Sequence, residues 1–201
     1  IQSFPAAVQT MLDPADCGPA CIALSQDIQG QIFDYPEDFF KERIHAIRRP
    51  RPDEFQIKEA AEKIKASKKP ILISGGGVFY SDAMEELSKF AIKHNIPVTQ
   101  TVMGYSTMKR DHSHYAGQIG GLGGKNTNSL AKQTDLAIAV GTKLADFTTG
   151  SWANFENEDF KLVSINVSRF DANKHLAQAV VGDARASLNE LSAALGDWKA
   201  P

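Results

Sequence analysis

Apolar and polar residues follow a regular order from residue 53 onward, and this order predicts alternating helices and strands. Short apolar runs with the length of buried strands lie at residues 71–73, 96–98, 136–140, 162–167 and 179–181. Between these runs apolar residues recur at helical spacing, as in the predicted face of Ile57, Ala60, Ala61 and Ile64. Strands separated by helices of about 10–15 residues form a parallel sheet covered on both faces. We therefore expect an α/β fold with a doubly wound, mostly parallel sheet.

Capping residues indicate where the predicted helices begin and end. Asp53 and Asp183 each precede a helical apolar face and can accept hydrogen bonds from the first free backbone amides. Asp82, with Glu85 three residues later, has the spacing of a capping box. Asn95 suits the left-handed conformation in which a helix often ends. These positions predict three helices, beginning after residues 53, 82 and 183.

The first 52 residues lack this alternation and are interrupted by prolines. The apolar run at residues 20–24 predicts a short buried strand. Cys17 and Cys21 are too few for a disulfide framework and lack the partners of a zinc site. We expect them to be half-buried thiols in a reducing compartment. Residues 48–52 combine three arginines with two prolines, which indicates an exposed linker rather than a nucleic-acid-binding patch.

Composition and charge narrow the classes of protein. The 201 residues carry a formal net charge of -2, so there is no basic excess for binding nucleic acid. No window approaches the roughly 20 apolar residues of a membrane span. The first residues lack the basic and apolar regions of a signal peptide. We expect a cytoplasmic protein that contacts neither nucleic acid nor membrane. Because the chain begins with Ile rather than Met, we also expect it to be a piece of a longer one.

Glycine-containing loops follow three of the predicted strands, at residues 75–77, 101–104 and 141–143. The carboxyl ends of parallel strands meet at one edge of a sheet, where ligands of such folds bind, so these loops should lie together. Glycine after a strand brings backbone amides close to an anion such as a phosphate. The candidate cofactor-binding residues are Gly75, Gly76, Gly77, Gly141, Thr142 and Lys143.

The detailed phosphate-binding motifs are not met. A dinucleotide fingerprint beginning at Gly75 would require glycine in place of Tyr80 and an acidic residue near the end of the second strand, at Gln100. The run at residues 120–125 resembles a phosphate-binding loop, but the motif would require a hydroxyl residue in place of Asn126. Two interpretations stay open for the glycines. They bind a nucleotide, or they serve tight turns and close packing.

Other candidate groups are isolated. His112 and His114 have a spacing that metal ligands can use, yet no third ligand is near in sequence, and surface histidines with Asp111 as a local partner are the alternative. Lys143 is either a phosphate contact or a solvated loop lysine. No serine–histidine or cysteine–histidine arrangement has a distinguishing local sequence. The residues alone indicate a fold that commonly binds ligands, and they contain no recognisable catalytic or metal-binding motif.

Four segments stand in a characteristic order, at residues 69–78, 96–101, 114–117 and 134–146. In order and spacing they resemble the central domain of thiamine-diphosphate-dependent enzymes, a family that includes acetohydroxyacid synthase, pyruvate oxidase, oxalyl-CoA decarboxylase and benzoylformate decarboxylase. The resemblance extends over about residues 53–195 and implies a Rossmann-like domain.

The beginning of the chain also resembles this family. Residues 10–14 and 18–27 look like the end of its pyrimidine-binding domain. Two segments, at residues 26–30 and 141–151, resemble sequences of the subfamily of trihydroxycyclohexane-dione hydrolases of myo-inositol catabolism. The expected organisation is the end of a pyrimidine-binding domain at residues 1–35, a linker at 36–52 and the central domain at 53–201.

For the parent enzyme this resemblance implies hydrolytic cleavage of a C–C bond in a cyclic 1,2-diketone, with thiamine diphosphate and magnesium, in a homo-oligomer. The family binds these cofactors with pyrimidine- and pyrophosphate-binding domains of the same chain, and the sequence here has no Gly-Asp-Gly motif. We therefore expect neither catalytic nor metal-binding residues in this chain, and no cofactor of its own. The glycine loops are interpreted as a vestigial, mainly structural crevice.

Three alternatives stand beside this interpretation. The first is a free-standing nucleotide- or flavin-binding module. The second is the central domain of another family member, such as an acetohydroxyacid synthase-like enzyme or a decarboxylase. The third is a complete small oxidoreductase.

Overall fold

The structure, a computed structural model, describes residues 2–201. They form two compact units, and the boundary along the chain falls between Arg48 and Arg49. This division falls inside the predicted linker of residues 36–52. The assignment of the two parts to named domains stays a prediction.

The second unit is built on a six-stranded sheet. Its strands are β1 (Pro70–Ser74), β2 (Val98–Gln100), β3 (Tyr115–Gln118), β4 (Leu136–Val140), β5 (Lys161–Asn166) and β6 (Gln178–Val181). All neighbouring strands are parallel, and their order is β3-β2-β1-β4-β5-β6. The chain thus winds outward in one direction from β1 and then in the other from β4, the topology of a doubly wound sheet. The predicted fold class is confirmed.

The first unit contains the α-helices α1 (Ser3–Leu12) and α2 (Gln26–Gln29). The α-helices that connect and flank the strands of the second unit are α3 (Glu54–Ala66), α4 (Gly76–Tyr80), α5 (Met84–His94), α6 (Lys125–Gln133), α7 (Asp146–Thr149), α8 (Arg169–Ala172) and α9 (Ala184–Leu195). None of the helices in this part of the chain is both long enough and apolar enough to cross a membrane.

The core consists of two apolar clusters, one on each face of the sheet. Leu72, Ile138 and Val163 contribute to the cluster that also contains the buried faces of α3, α5 and α9. Their neighbours along the strands, such as Ile71 and Ala137, belong to the other cluster. Successive side chains of a strand point to opposite faces. Burial on both faces therefore explains why these strands are continuously apolar.

Three of the predicted helix ends are confirmed. An Oδ1 atom of Asp53 accepts a hydrogen bond from the backbone N–H of Phe55 at 2.9 Å. Asp183 Oδ1 accepts one from the N–H of Arg185 at 3.0 Å. Asn95 has φ 55° and ψ 46°, the left-handed conformation expected at the end of α5.

The predicted capping box is wrong. Asp82 ends the preceding helix instead of starting the next: its N–H donates to the Phe79 carbonyl at 3.0 Å, and the N–H of Ala83 donates to the Val78 carbonyl at 2.9 Å. With φ 52° at Asp82, this is the Schellman arrangement that closes α4. Glu85 is left to form an ion pair with Lys89, with its Oε1 2.6 Å from Nζ. The three residues between α4 and α5 serve to close α4, and no side chain among them caps α5.

The predicted strand at residues 20–24 is also wrong. This segment contains neither helix nor strand, and it is exposed. Cys17 and Cys21 are exposed as well, rather than half-buried. A strand requires a neighbour to satisfy its backbone groups, and the unit that ends at Arg48 has, in its described residues, only helical elements and irregular chain.

Strand β3 was not predicted from the apolar pattern. Its four residues are all half-buried, and one of them is Gly117. A short edge strand without a buried face gives no clear periodic signal.

Candidate functional site

The glycine loops meet at the carboxyl edge of the sheet, where backbone hydrogen bonds join them. The N–H of Gly75 donates to the Val140 carbonyl at 2.9 Å, and that of Gly77 donates to the Gly141 carbonyl at 2.9 Å. The N–H of Gly141 in turn donates to the Ile165 carbonyl at 2.8 Å. The ends of β1, β4 and β5 are thus held together through the candidate residues.

The loops are packed so closely that side chains would not fit between them. A Cβ atom on Gly75 would lie 2.6 Å from the Cβ of Thr142, and one on Gly77 would lie 2.6 Å from the Cα of Gly141. At Gly104 an added Cβ would overlap the carbonyl of Ser74. Backbone therefore occupies the space between the ends of β1 and β4, where a doubly wound sheet usually has its crevice.

Thr142 and Lys143, the other candidates, differ from the glycines in their surroundings. The carbonyl of Thr142 accepts a hydrogen bond from Asn166 Nδ2 at 3.3 Å, and its Oγ1 accepts one from the N–H of Leu144 at 3.3 Å. Lys143 is exposed, and within residues 2–201 it forms no ion pair. Its side chain thus stands apart from the bonds that fix the loops.

The second glycine-rich loop, residues 120–124, has most of its amides occupied. Gly120 exchanges two hydrogen bonds with the side chain of Asn128, each 3.0 Å long. The N–H groups of Gly121, Gly123 and Gly124 donate to the carbonyls of Phe147, Gly120 and Gln118. A phosphate-binding loop works because its amides are free to point at the anion. These four amides already have acceptors within the protein.

A buried polar network, which sequence reasoning missed, supports the loop after β2. The Thr107 hydroxyl donates to the Gly104 carbonyl at 2.7 Å and lies 2.6 Å from the Ser74 hydroxyl. Gln100 Nε2 donates to Thr107 Oγ1 at 3.2 Å and to the Met108 carbonyl at 3.0 Å. Ser74 follows an apolar run in β1 and Gln100 ends β2, and a polar residue at the end of a predicted buried strand was the available signal. These buried hydrogen bonds fix the loop against the ends of β1 and β2.

The ring of His112 uses both of its nitrogens in hydrogen bonds within the protein. His112 Nδ1 accepts a hydrogen bond from the N–H of His114 at 3.1 Å, so its Nε2 carries the proton and donates to Ser88 Oγ at 2.9 Å. The hydrogen-bonding partner of His112 is therefore Ser88, whereas the sequence suggested Asp111. The pKa of His114 is lowered mainly by desolvation and, to a smaller extent, by the nearby His112. No group of three or more potential metal ligands occurs in the described part of the chain.

A cavity of about 380 Å³ lies at the opposite, amino end of the strands, next to Asp135. This carboxylate accepts hydrogen bonds from the Ser67 hydroxyl and from the N–H groups of Lys68, at 2.7 Å, and Lys69, at 3.0 Å. Desolvation alone would raise the pKa of Asp135, but these hydrogen bonds outweigh it and hold the pKa below its ordinary value. Asp135 therefore joins the start of β1 to the start of β4 and is not a free ligand.

The chain is similar to known proteins both in sequence and in structure. The family model described as "Thiamine pyrophosphate enzyme, central domain" matches residues 57–191. In structure the chain is similar to benzoylformate decarboxylase from Polynucleobacter necessarius, with a TM-score of 0.75 and 20% identity over 99% of this chain and 38% of that one. At 20% identity, the similarity to this decarboxylase shows a shared fold and nothing about activity.

Two curated relatives are more similar in sequence. The 3D-(3,5/4)-trihydroxycyclohexane-1,2-dione hydrolase of Clostridium perfringens (strain 13 / Type A) is 45% identical over 189 residues, or 94% of this chain. The protein of the same name from Geobacillus thermodenitrificans is 44% identical over 192 residues, or 96% of this chain. The chain spans about 30% of the length of these relatives. Together with the match over residues 57–191, these similarities confirm the resemblance seen in the sequence: the chain belongs to the thiamine pyrophosphate enzyme family and contains its central domain.

Proposed function

We propose that this chain is the central domain of a 3D-(3,5/4)-trihydroxycyclohexane-1,2-dione hydrolase. The observation that supports this most strongly is the 45% identity to a protein of that name, which extends over 94% of the chain. The parent enzyme would add one water molecule across the C–C bond between the two carbonyl carbons of a cyclic 1,2-diketone. One of those carbons becomes a carboxylic acid and the other an aldehyde, and the ring opens.

Within that enzyme the central domain has a structural role, and the glycine loops belong to it. The amides of Gly75, Gly77 and Gly141 donate to the carbonyls of Val140, Gly141 and Ile165, at or next to the ends of β4 and β5. An added Cβ atom on any of these three glycines would collide with the neighbouring loop or helix. The crevice at this edge is therefore vestigial: its backbone holds the sheet edge together, and it binds no nucleotide. It is formed by Gly75, Gly76, Gly77, Gly141, Thr142 and Lys143.

The cofactors of the parent enzyme, thiamine diphosphate and magnesium, are bound by other domains of the polypeptide under this proposal. Mg²⁺ prefers carboxylate and other oxygen ligands. The described residues contain no group of three or more potential metal ligands, and Asp135 is committed to hydrogen bonds with the chain itself. These residues do not fit the cofactor, so we assign none of its chemistry to them.

The proposal includes a homo-oligomeric parent enzyme in the cytoplasm, whose pyrimidine- and pyrophosphate-binding domains lie in the same polypeptide. The relatives' greater length supports the additional domains, because this chain spans about 30% of it. The free, exposed thiols of Cys17 and Cys21 are compatible with a reducing compartment.

The test is an activity assay of the parent enzyme expressed from its full reading frame. With thiamine diphosphate and Mg²⁺ it should hydrolyse trihydroxycyclohexane-1,2-dione, and it should be much less active on benzoylformate or pyruvate. The 201-residue chain, given the same cofactors, is the control and should show no turnover. A parent enzyme that decarboxylates a 2-oxo acid and leaves the cyclic diketone intact would overturn the proposal.

A further inference from the structure

Large apolar side chains stand exposed beside the glycine loops. They belong to α4 and to the loop after β2, and we call them the apolar rim: Phe79, Tyr80, Val102, Met103 and Tyr105. Their exposed fractions range from 42% at Val102 to 77% at Tyr80. Single exposed apolar residues are ordinary, but five from two adjoining segments form a patch of the kind that marks an interaction surface.

The two segments of the rim meet at Gly76. A Cβ atom on this glycine would lie 3.5 Å from the Cβ of Met103 and 3.7 Å from Cε2 of Tyr80. The rings of Phe79 and Tyr80 adjoin, with their centroids 6.2 Å apart. Side chains from α4 and from the loop after β2 therefore form one continuous surface.

Tyr105, at the other end of the rim, is held in place by Arg110. Its hydroxyl accepts a hydrogen bond from Arg110 Nη2 at 3.0 Å, and the guanidinium carbon lies 5.5 Å from the ring centroid. The buried bonds of Thr107 and Gln100 fix the backbone of the same loop. A surface fixed in this way needs little reorganisation when a partner binds.

The shape of the edge favours a protein partner over a small ligand. Small molecules bind in concave sites that surround most of their surface, whereas backbone fills the space between the ends of β1 and β4. The three aromatic side chains of the rim, which are 57–77% exposed, together present on the order of 300 Å² of mainly apolar surface. That area is a substantial share of the roughly 800 Å² that each partner contributes to a standard protein interface.

We propose that the apolar rim is the docking surface for another domain of the same polypeptide. The chain spans about 30% of the length of its curated relatives, so most of the polypeptide of such an enzyme lies outside it. A domain on the same chain is present at high effective concentration and can cover the rim permanently. This inference rests on the proposed function, in which the chain is one domain of a longer enzyme.

The test uses Met103, whose side chain is 72% exposed here, as a reporter of coverage. The full-length enzyme and the 201-residue chain are treated with hydrogen peroxide, and oxidation of each methionine is followed by mass spectrometry. Met103 should be oxidised at least about tenfold more slowly in the full-length enzyme, since coverage allows reaction only during local opening. Met108, which is 5% exposed, is the internal reference and should react slowly in both proteins.

A variant pair shows whether the rim itself is responsible. In the full-length enzyme, Tyr80→Lys should return Met103 to the oxidation rate of the 201-residue chain, because a buried lysine would disfavour docking. Ile92→Lys on α5, a site 54% exposed, is the matched control and should leave Met103 protected. Circular dichroism of the 201-residue chain bearing Tyr80→Lys should be unchanged, since the side chain is exposed there.

Three results would overturn the inference. Equal oxidation of Met103 in the two proteins would mean that nothing covers the rim. Protection that appears in the 201-residue chain as its concentration rises would assign the surface to a second copy. Protection of the 201-residue chain by ADP or FAD would assign it to a ligand. Hydrolase activity is measured on the same full-length preparation, so an inactive enzyme with a protected Met103 would refute the proposed function and leave the docking surface intact.

Discussion

Gly77 and Gly141 pack backbone against backbone where β1 and β4 end. The N–H of Gly77 donates to the Gly141 carbonyl at 2.9 Å, and a Cβ atom on Gly77 would lie 2.6 Å from the Cα of Gly141. Gly141 also has φ +60°, a conformation that other residues rarely adopt. The same glycines that could approach a phosphate in a related fold approach each other here.

Gly141→Ala should therefore destabilise the protein. The added methyl would collide with the backbone of Gly77 and occupy a strained conformation, which together cost about 2 kcal/mol or more. Urea unfolding of the 201-residue chain measures the loss. Gly124→Ala is the matched control, because its Cβ would find only Thr127 Oγ1 at 3.8 Å, and it should cost no more than about 1 kcal/mol. Equal stability of the two variants would contradict the packing role.

The filled crevice also predicts that the 201-residue chain binds no nucleotide. Calorimetric titration with ADP, NAD and FAD should show no binding at micromolar concentrations, because backbone fills the space between the strand ends and the amides of Gly75, Gly77 and Gly141 already donate to protein carbonyls. Lys143→Ala is the companion variant, since this lysine is exposed and directly follows Gly141 and Thr142. Micromolar binding that Lys143→Ala abolishes would show that the crevice still functions as a site.

The buried cap of α9 should contribute more stability than the exposed cap of α3. Asp183 caps α9, and its Oδ2 lies 3.0 Å from Arg49 Nη1, with the Asp183 side chain 4% exposed. Removing it with Asp183→Ala loses the cap and leaves Arg49 without its carboxylate, a combined cost of about 2–4 kcal/mol.

Asp53→Ala is the comparison for this prediction. Asp53 has the same capping geometry but is exposed, so its loss should cost about 1 kcal/mol. The difference between the free energies of unfolding of the two variants measures the contribution of burial and of Arg49. Costs of the same size would mean that the ion pair adds nothing.

His94 should make the stability of the protein depend on pH below neutrality. Desolvation by burial lowers its pKa below the ordinary value of 6.5. The ring is neutral in this environment, with Nδ1 donating to the Trp198 carbonyl at 2.7 Å and Nε2 accepting from Ser192 Oγ at 3.0 Å. Below pH 6.5 the unfolded chain takes up this proton more readily than the folded chain, so stability is full above that pH and falls as the pH decreases.

Unfolding measured in urea between pH 7.5 and about pH 5 tests this sign. The midpoint should decrease with acidification, and the decrease should be smaller in His94→Gln, whose amide can form both hydrogen bonds without titrating. A variant with the same pH slope as the unchanged chain would show that another group is responsible.

The pattern of residues alone determined the class of fold. Leu136–Val140 is continuously apolar because both faces of β4 are buried, and such a strand can only be central in a covered sheet. Asp53, Asp183 and Asn95 marked helix ends correctly because capping depends on a few adjacent backbone groups. The family resemblance, too, could be recognised from ordered segments of sequence.

Tertiary structure decided the features that depend on partners distant in the chain. Asp82 closes α4 instead of capping α5 because a short helix forms directly before it, and the start of that helix is fixed by the hydrogen bond from Gly77 to the distant Gly141 carbonyl. Residues 20–24 have the composition of a buried strand, but a strand forms only where another strand pairs with it. The glycines of residues 75–77 permit either phosphate binding or close packing, and only the position of Gly141, more than 60 residues away, brings backbone into the space between the strand ends.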